Sequence, residues 1–143
     1  MTIKKTGSAH WSGDIKSGKG TVSTESGALK AQPYGFNTRF EGKAGTNPEE
    51  LLGAAHAGCF SMALSLMLGN EGLTPDSIDT KAVVSLDKQG EGFAITAVHL
   101  EVEARIPGTD AATFARIATQ AKEGCPVSQL FDADISMSAH LVS

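Results

Sequence analysis

Two cysteines, Cys59 and Cys125, are the residues of this chain whose chemistry depends most on where the fold places them. Cys59 lies inside a run of twenty uncharged residues, Leu51 to Asn70, while Cys125 follows a glycine and precedes a proline. A thiol midway along a buried helix, with one distant partner at a helix start, is a pattern for redox chemistry. It is also a pattern for two small buried residues that do nothing but pack. A free thiol has a pKa of about 8.5, so about 3% is thiolate at pH 7. Apolar burial pushes Cys59 further toward the neutral, unreactive form. A reactive Cys59 therefore requires a cation. Bringing its pKa to ~6 takes roughly 3 kcal/mol of differential stabilisation, within the reach of one well-placed arginine in a dry site.

The nearest candidates are Arg39, just before the uncharged run, and His56, one helical turn before Cys59. At i, i+3, His56 shares a face with Cys59, which admits a Cys–His nucleophile. A histidine hydrogen-bonded within the core, or set at an interface, accounts for it equally well. Glu49 lies ten residues ahead of Cys59, roughly 80° round the helix and about 15 Å along its axis. It reaches the chemistry only through a long partner such as Arg39, or from a second subunit. A first-turn glutamate also serves the helix dipole, and the two roles are compatible. Cys125 reads as a small buried junction residue, or as a thiol at a helix start, with lowered pKa and open to attack another sulfur.

The elements that must hold these residues follow from pattern. Gly42, Gly45 and Asn47 mark a loop, and Pro48 suits the first turn of a helix, with Glu49 and Glu50 favourable against its dipole. That helix runs to about Leu68, with Gly69-Asn70 as its cap, and at ~1.5 Å per residue spans about 30 Å, the width of a small domain. It is expected to be the buried spine of the core. Upstream, strand-like pieces around Ala9–Trp11 and Thr21–Ser26 are punctuated by glycines. Downstream, Thr80–Lys88 and Phe93–Ile106 read as strands joined at Gln89–Gly92. Ala94, Thr96, Val98, Leu100, Val102, Ala104 and Ile106 share one face of the second strand. Asp110 can cap a helix through Glu123, with Phe114, Ile117, Ala118 and Ala121 as its apolar stripe. Ile135, Met137, Ala139 and Leu141 alternate as a last strand. The order indicates an α+β fold, an antiparallel β-sheet packed around a long central helix, in one domain spanning residues 1–143.

Composition excludes several classes of function. The 143 residues are 41% hydrophobic and 20% charged, with a net charge of −4, ordinary for a globular protein and unsuited to a polyanion partner. Lys4, Lys5, Lys16 and Lys19 are too widely spaced for a nucleic-acid patch. Two cysteines do not make a disulfide scaffold, and the first residues contain no apolar core of a secretory signal. A reducing cytoplasm is expected. The uncharged run is long enough to span a bilayer, but its Gly, Ala and Ser content and acidic flanks argue for a core helix rather than a membrane span. The glycines match no phosphate-binding spacing, and His10, His99 and His140 share no metal-ligand spacing with the cysteines. No cofactor or zinc site is expected.

The run RFEGKAGTNPEELLGAAHAGCFSMALSLML, from Arg39 to Leu68, resembles the signature of the osmotically inducible protein C family. The segment AHWSGDIKSGKGTVSTESGALKAQPYGFNTRFEG resembles that branch, as distinct from the related organic hydroperoxide resistance proteins. EGCPVSQ is similar to the family's second cysteine motif. Gly58 is a small difference, expected to loosen the helix locally. The resemblance implies a two-cysteine thiol peroxidase acting on organic hydroperoxides, and an intertwined homodimer of α+β subunits with active sites at the subunit interface. Carried over position by position, it implies Cys59 as peroxidatic thiol and Cys125 as resolving thiol. Arg39 would hold thiolate and peroxide, and Glu49 would orient Arg39. The implied reductants are dithiols of the lipoyl type. Phe60, Met62 and Phe36 are candidates for an apolar pocket wall or for plain core. Two rivals stand beside this reading: a Cys-dependent hydrolase or transferase using His56, and a non-catalytic stress-protective protein with buried thiols.

Overall fold

The glycine- and serine-rich first third forms three short antiparallel strands, β1 (Gly7–Ser12), β2 (Lys19–Thr24) and β3 (Gln32–Tyr34), with β2 in the middle. In this computed structural model, which describes residues 1–142, the chain divides into two compact units, Met1–Leu51 and Leu52–Ser143. Within the first, a short helix α1 (Phe36–Phe40) follows β3. The Thr38 hydroxyl closes its start, accepting from the Gly35 N–H at 2.9 Å and donating to the Gly35 carbonyl at 3.0 Å. The loop from α1 onward is tied to β3 where the Thr46 N–H and hydroxyl both donate to the Pro33 carbonyl, at 3.0 and 2.8 Å. Gly45 makes this approach possible. Its φ is +145°, and a Cβ there would stand 2.7 Å from Thr38 Cγ2.

Helix α2 (Pro48–Asn70) begins with Asn47 as its cap, the side-chain carbonyl accepting from the Glu50 N–H at 2.8 Å. The helix passes through Gly58 without interruption. It ends later than the sequence suggests. Leu73 N–H donates to the Leu68 carbonyl at 2.9 Å and Gly72 N–H to the Gly69 carbonyl at 3.0 Å, with Gly72 at φ +76°. This is the Schellman pattern, and Gly72, not Gly69, is the residue that must turn left-handed.

In the second unit, β4 (Ser77–Gln89) and β5 (Gly92–Arg105) form a long antiparallel hairpin. Helices α3 (Ala111–Gly124) and α4 (Pro126–Leu130) then lead to β6 (Asp134–Leu141). β6 lies beside β5 and parallel to it, so this sheet is mixed rather than wholly antiparallel. The reason is topological: a strand regained through a helical crossover re-enters in the same direction. Asp110 caps α3, accepting from the Thr113 N–H at 2.7 Å, and Phe114, Ile117, Ala118 and Ala121 are its buried stripe. They pack with Val98, Leu100, Val102 and Ala104 of β5, Ile106 just beyond it, and Phe60, Leu64 and Leu68 of α2.

Helix α2 is not buried all round. Its i, i+4 row Phe60, Leu64 and Leu68 is fully enclosed, yet Met62 and Leu66 are 77% and 66% exposed. Ala54, Ala55, Gly58, Ser65 and Gly69 are exposed as well. By length and composition alone α2 could cross a membrane, but one face of it is committed to a protein core.

Candidate active site

Cys59 and Cys125, far apart in the chain, meet. α2 presents Cys59 half-buried at the margin of the core, and α3 and α4 meet at Cys125, whose φ, ψ of −60°, 125° ends one helix and starts the next. Pro126 as the first residue of α4 enforces that break, since proline cannot continue α3. The side chains of the two cysteines lie beside each other, and the Val127 backbone, in the first turn of α4, approaches the Cys59 sulfur. Both cysteines are free thiols. Burial pushes the Cys59 thiol above its ordinary pKa and the Cys125 contact pushes the same way, while the Val127 amide opposes them. Within this unit Cys59 is held as the thiol, and the need for an external cation, inferred from sequence, stands. Cys125 is not open to an external sulfur: it is fully buried, and the sulfur it meets is that of Cys59.

In the first unit, Arg39 and Glu49 also meet. Arg39 Nε donates to Glu49 Oε1 at 2.7 Å, and the guanidinium lies 5.3 Å from the centroid of the Phe40 ring. The Arg39 side chain is 36% exposed and that of Glu49 11%. The carboxylate engages Nε alone. Among the described residues, both Nη groups are left without a hydrogen-bond partner, and buried Glu49 Oε2 has none either. An arginine gripped at Nε is fixed in direction while its terminal fork stays available to an anion.

His56 does not pair with Cys59. It is fully buried, its Nε2 lies 2.7 Å from Ser128 Oγ, and its ring meets Phe131 edge-on at 5.4 Å. Burial holds its pKa below the ordinary value, so the ring is neutral at pH 7. Nδ1 is buried without a partner. The tautomer that donates from Nε2 leaves there a lone pair rather than an unpaired N–H, the less costly group to strand. Ser128 carried no signal in the sequence, because only the fold brings α4 against α2. Of the proposed pocket residues, Phe60 is plain core at 0% exposure, Met62 faces outward and Phe36 packs on Phe40 at 5.1 Å.

Two thiols in contact are the groups that thiol-dependent redox chemistry requires. Residues 40–139 match the family model described as OsmC-like protein. The chain is 67% identical over 143 residues, 100% of both chains, to Peroxiredoxin OsmC of Escherichia coli strain K12. It is 28% identical over 123 residues, covering 85% of this chain and 88% of the other, to organic hydroperoxide resistance protein OhrB of Bacillus subtilis strain 168. The crystal structure of OhrB of Bacillus subtilis superposes with a TM-score of 0.71 at 27% identity, over 95% of this chain and 97% of that one. An OsmC-like protein from Mycoplasma pneumoniae shares the fold at TM-score 0.75, with 15% identity over 100% of both chains. The chain belongs to the OsmC-like family.

Proposed function

We propose that this protein is a two-cysteine peroxidase that reduces organic hydroperoxides to alcohols at the expense of a thiol reductant. The observation that carries the reading is the contact between half-exposed Cys59 and buried Cys125, in a chain whose relatives are named for peroxide reduction and organic hydroperoxide resistance. The Cys59 thiolate attacks the distal peroxide oxygen, releasing the alcohol and leaving a sulfenic acid. Cys125 condenses with it to a disulfide, and a dithiol, of the lipoyl type in our reading, restores both thiols. Arg39 supplies the cation that Cys59 lacks in its own unit, its free Nη groups taking the charge that passes from sulfur to the leaving alkoxide. Glu49 aims Arg39 through Nε.

The two units of residues 1–143 work as one domain within an intertwined cytoplasmic homodimer, with active sites completed at the interface. The exposed apolar face of α2 supports this, since Met62, Leu66 and the small residues beside them form a continuous strip for a second copy to cover. A hydrolase built on a Cys59–His56 pair is disfavoured because His56 is spent on Ser128. The test is peroxide consumption with an alkyl hydroperoxide and a dithiol, followed by mass spectrometry of the cysteines. Wild type turns over and cycles through a Cys59–Cys125 disulfide. Cys59→Ser loses at least about 10³-fold in rate, and Cys125→Ser completes one oxidation and then stalls or over-oxidises. An unchanged thiol count after one equivalent of hydroperoxide would sink the reading.

A further inference from the structure

Two side-chain contacts join α2 to the start of α4, and they fall in register. Cys59 meets Cys125, and three residues earlier on α2, His56 meets Ser128, three residues later in the other segment. A step of three is close to one helical turn, so the two contacts are successive rungs between antiparallel turns. The His56 rung is enclosed. The ring is 0% exposed, bonded at 2.7 Å to Ser128 and edge-on to Phe131, which closes the far end of α4. α4 has five residues, too few to be stable alone, so its place is set by what it docks against.

We propose that His56 and Ser128 are a positioning pair for disulfide formation, holding α4 in register so that Cys125 reaches the oxidised sulfur of Cys59. The proposal rests on the two-cysteine peroxidase reading. The step it serves is the condensation of Cys59–SOH with Cys125–SH. An S–S bond forms, the S–OH bond breaks, and the hydroxyl leaves as water with the Cys125 proton. Cys125 sulfur is oxidised and Cys59 sulfur reduced, both to the disulfide level. A disulfide requires the sulfurs at about 2.05 Å with a restricted dihedral, closer than two free thiols in contact. The last approach therefore needs the two backbones held at the right separation and register while the sulfurs close, and the neighbouring rung holds them. A neutral histidine and a hydroxyl suit that duty, because they give direction without placing a charge beside a developing thiolate. The pair takes no part in the attack on peroxide.

Rapid quench with cumene hydroperoxide, thiol alkylation and mass spectrometry separates sulfenic acid formation from disulfide closure. In Ser128→Ala the first step should stay within twofold of wild type while closure slows at least tenfold and sulfinic Cys59 accumulates. Ser128→Thr, which keeps the hydroxyl, should restore closure to within threefold. The double variant His56→Phe/Ser128→Ala removes both polar partners while filling the space, and should close slowly even though it folds. Closure within twofold of wild type in both Ser128→Ala and the double variant would overturn the proposal, as would a loss in Ser128→Ala that Ser128→Thr does not repair. Diamide drives the same disulfide without peroxide. If wild type ignores the hydroperoxide but diamide closure still slows in Ser128→Ala, the positioning role stands and the peroxidase reading falls.

Discussion

His56 and Cys59 sit one helical turn apart and are perturbed in opposite directions by the same cause. Burial favours the neutral form of each, lowering the imidazole pKa and raising that of the thiol. For His56 the folded value lies below the unfolded one, so its contribution to stability is complete above about pH 6.5 and is lost as pH falls through the folded pKa. The slope from one such group reaches at most about 1.4 kcal/mol per pH unit. Urea midpoints measured from pH 7 to pH 5 should fall in wild type and fall less steeply in His56→Phe/Ser128→Ala. Equal slopes would show that His56 titrates as freely in the folded chain as in the unfolded one. Composition placed a histidine near the thiol and left its partner open, because Ser128 is one serine among many until α4 is docked. The need for a cation at Cys59 was legible, since burial of a thiol has one sign.

At the scale of elements, the features easiest to read were those set by local chemistry. The α3 stripe Phe114, Ile117, Ala118 and Ala121, the Asp110 cap and the buried face of β5 follow from period and capping rules. The end of α2 did not. Four glycines, Gly53, Gly58, Gly69 and Gly72, fall in or just after that helix, and only Gly72 takes a positive φ. Which glycine becomes the turn is decided by Leu73, which packs against the core that contains Leu68 and so fixes where the chain must fold back. Gly72→Ala should cost about 1–2 kcal/mol, because an L side chain is forced into the left-handed region. In calorimetry that is a fall in Tm of a few degrees, against little change for Gly69→Ala, which has no neighbour within 4 Å and no positive φ. A smaller effect at 72 than at 69 would contradict the assigned cap.

For the molecule as a whole, the outward face of α2 is the feature that a single chain does not explain. Met62 at 77% and Leu66 at 66% exposure stand in a row with small residues, where a mostly wet helix would carry charge. If a second copy covers this row, Met62→Asp together with Leu66→Asp should convert a dimer into a monomer in sedimentation equilibrium and reduce peroxide turnover at least tenfold. Both positions are exposed in the single chain, so its own fold should tolerate the change. A wild-type protein that sediments as a monomer at micromolar concentration would refute the covered-face reading.

The sequence by itself determined the α+β class, the extents of most helices and strands, the family and the identity of the two thiols. All of these depend on periodicity, capping and local motif, which are properties of neighbours in the chain. Tertiary structure decided what meets what: Cys59 with Cys125, Arg39 with Glu49 through Nε alone, His56 with Ser128 rather than Cys59, and β6 parallel to β5. Those pairings depend on how distant elements dock. Docking is set by the summed burial of many side chains, and no spacing along the chain records it.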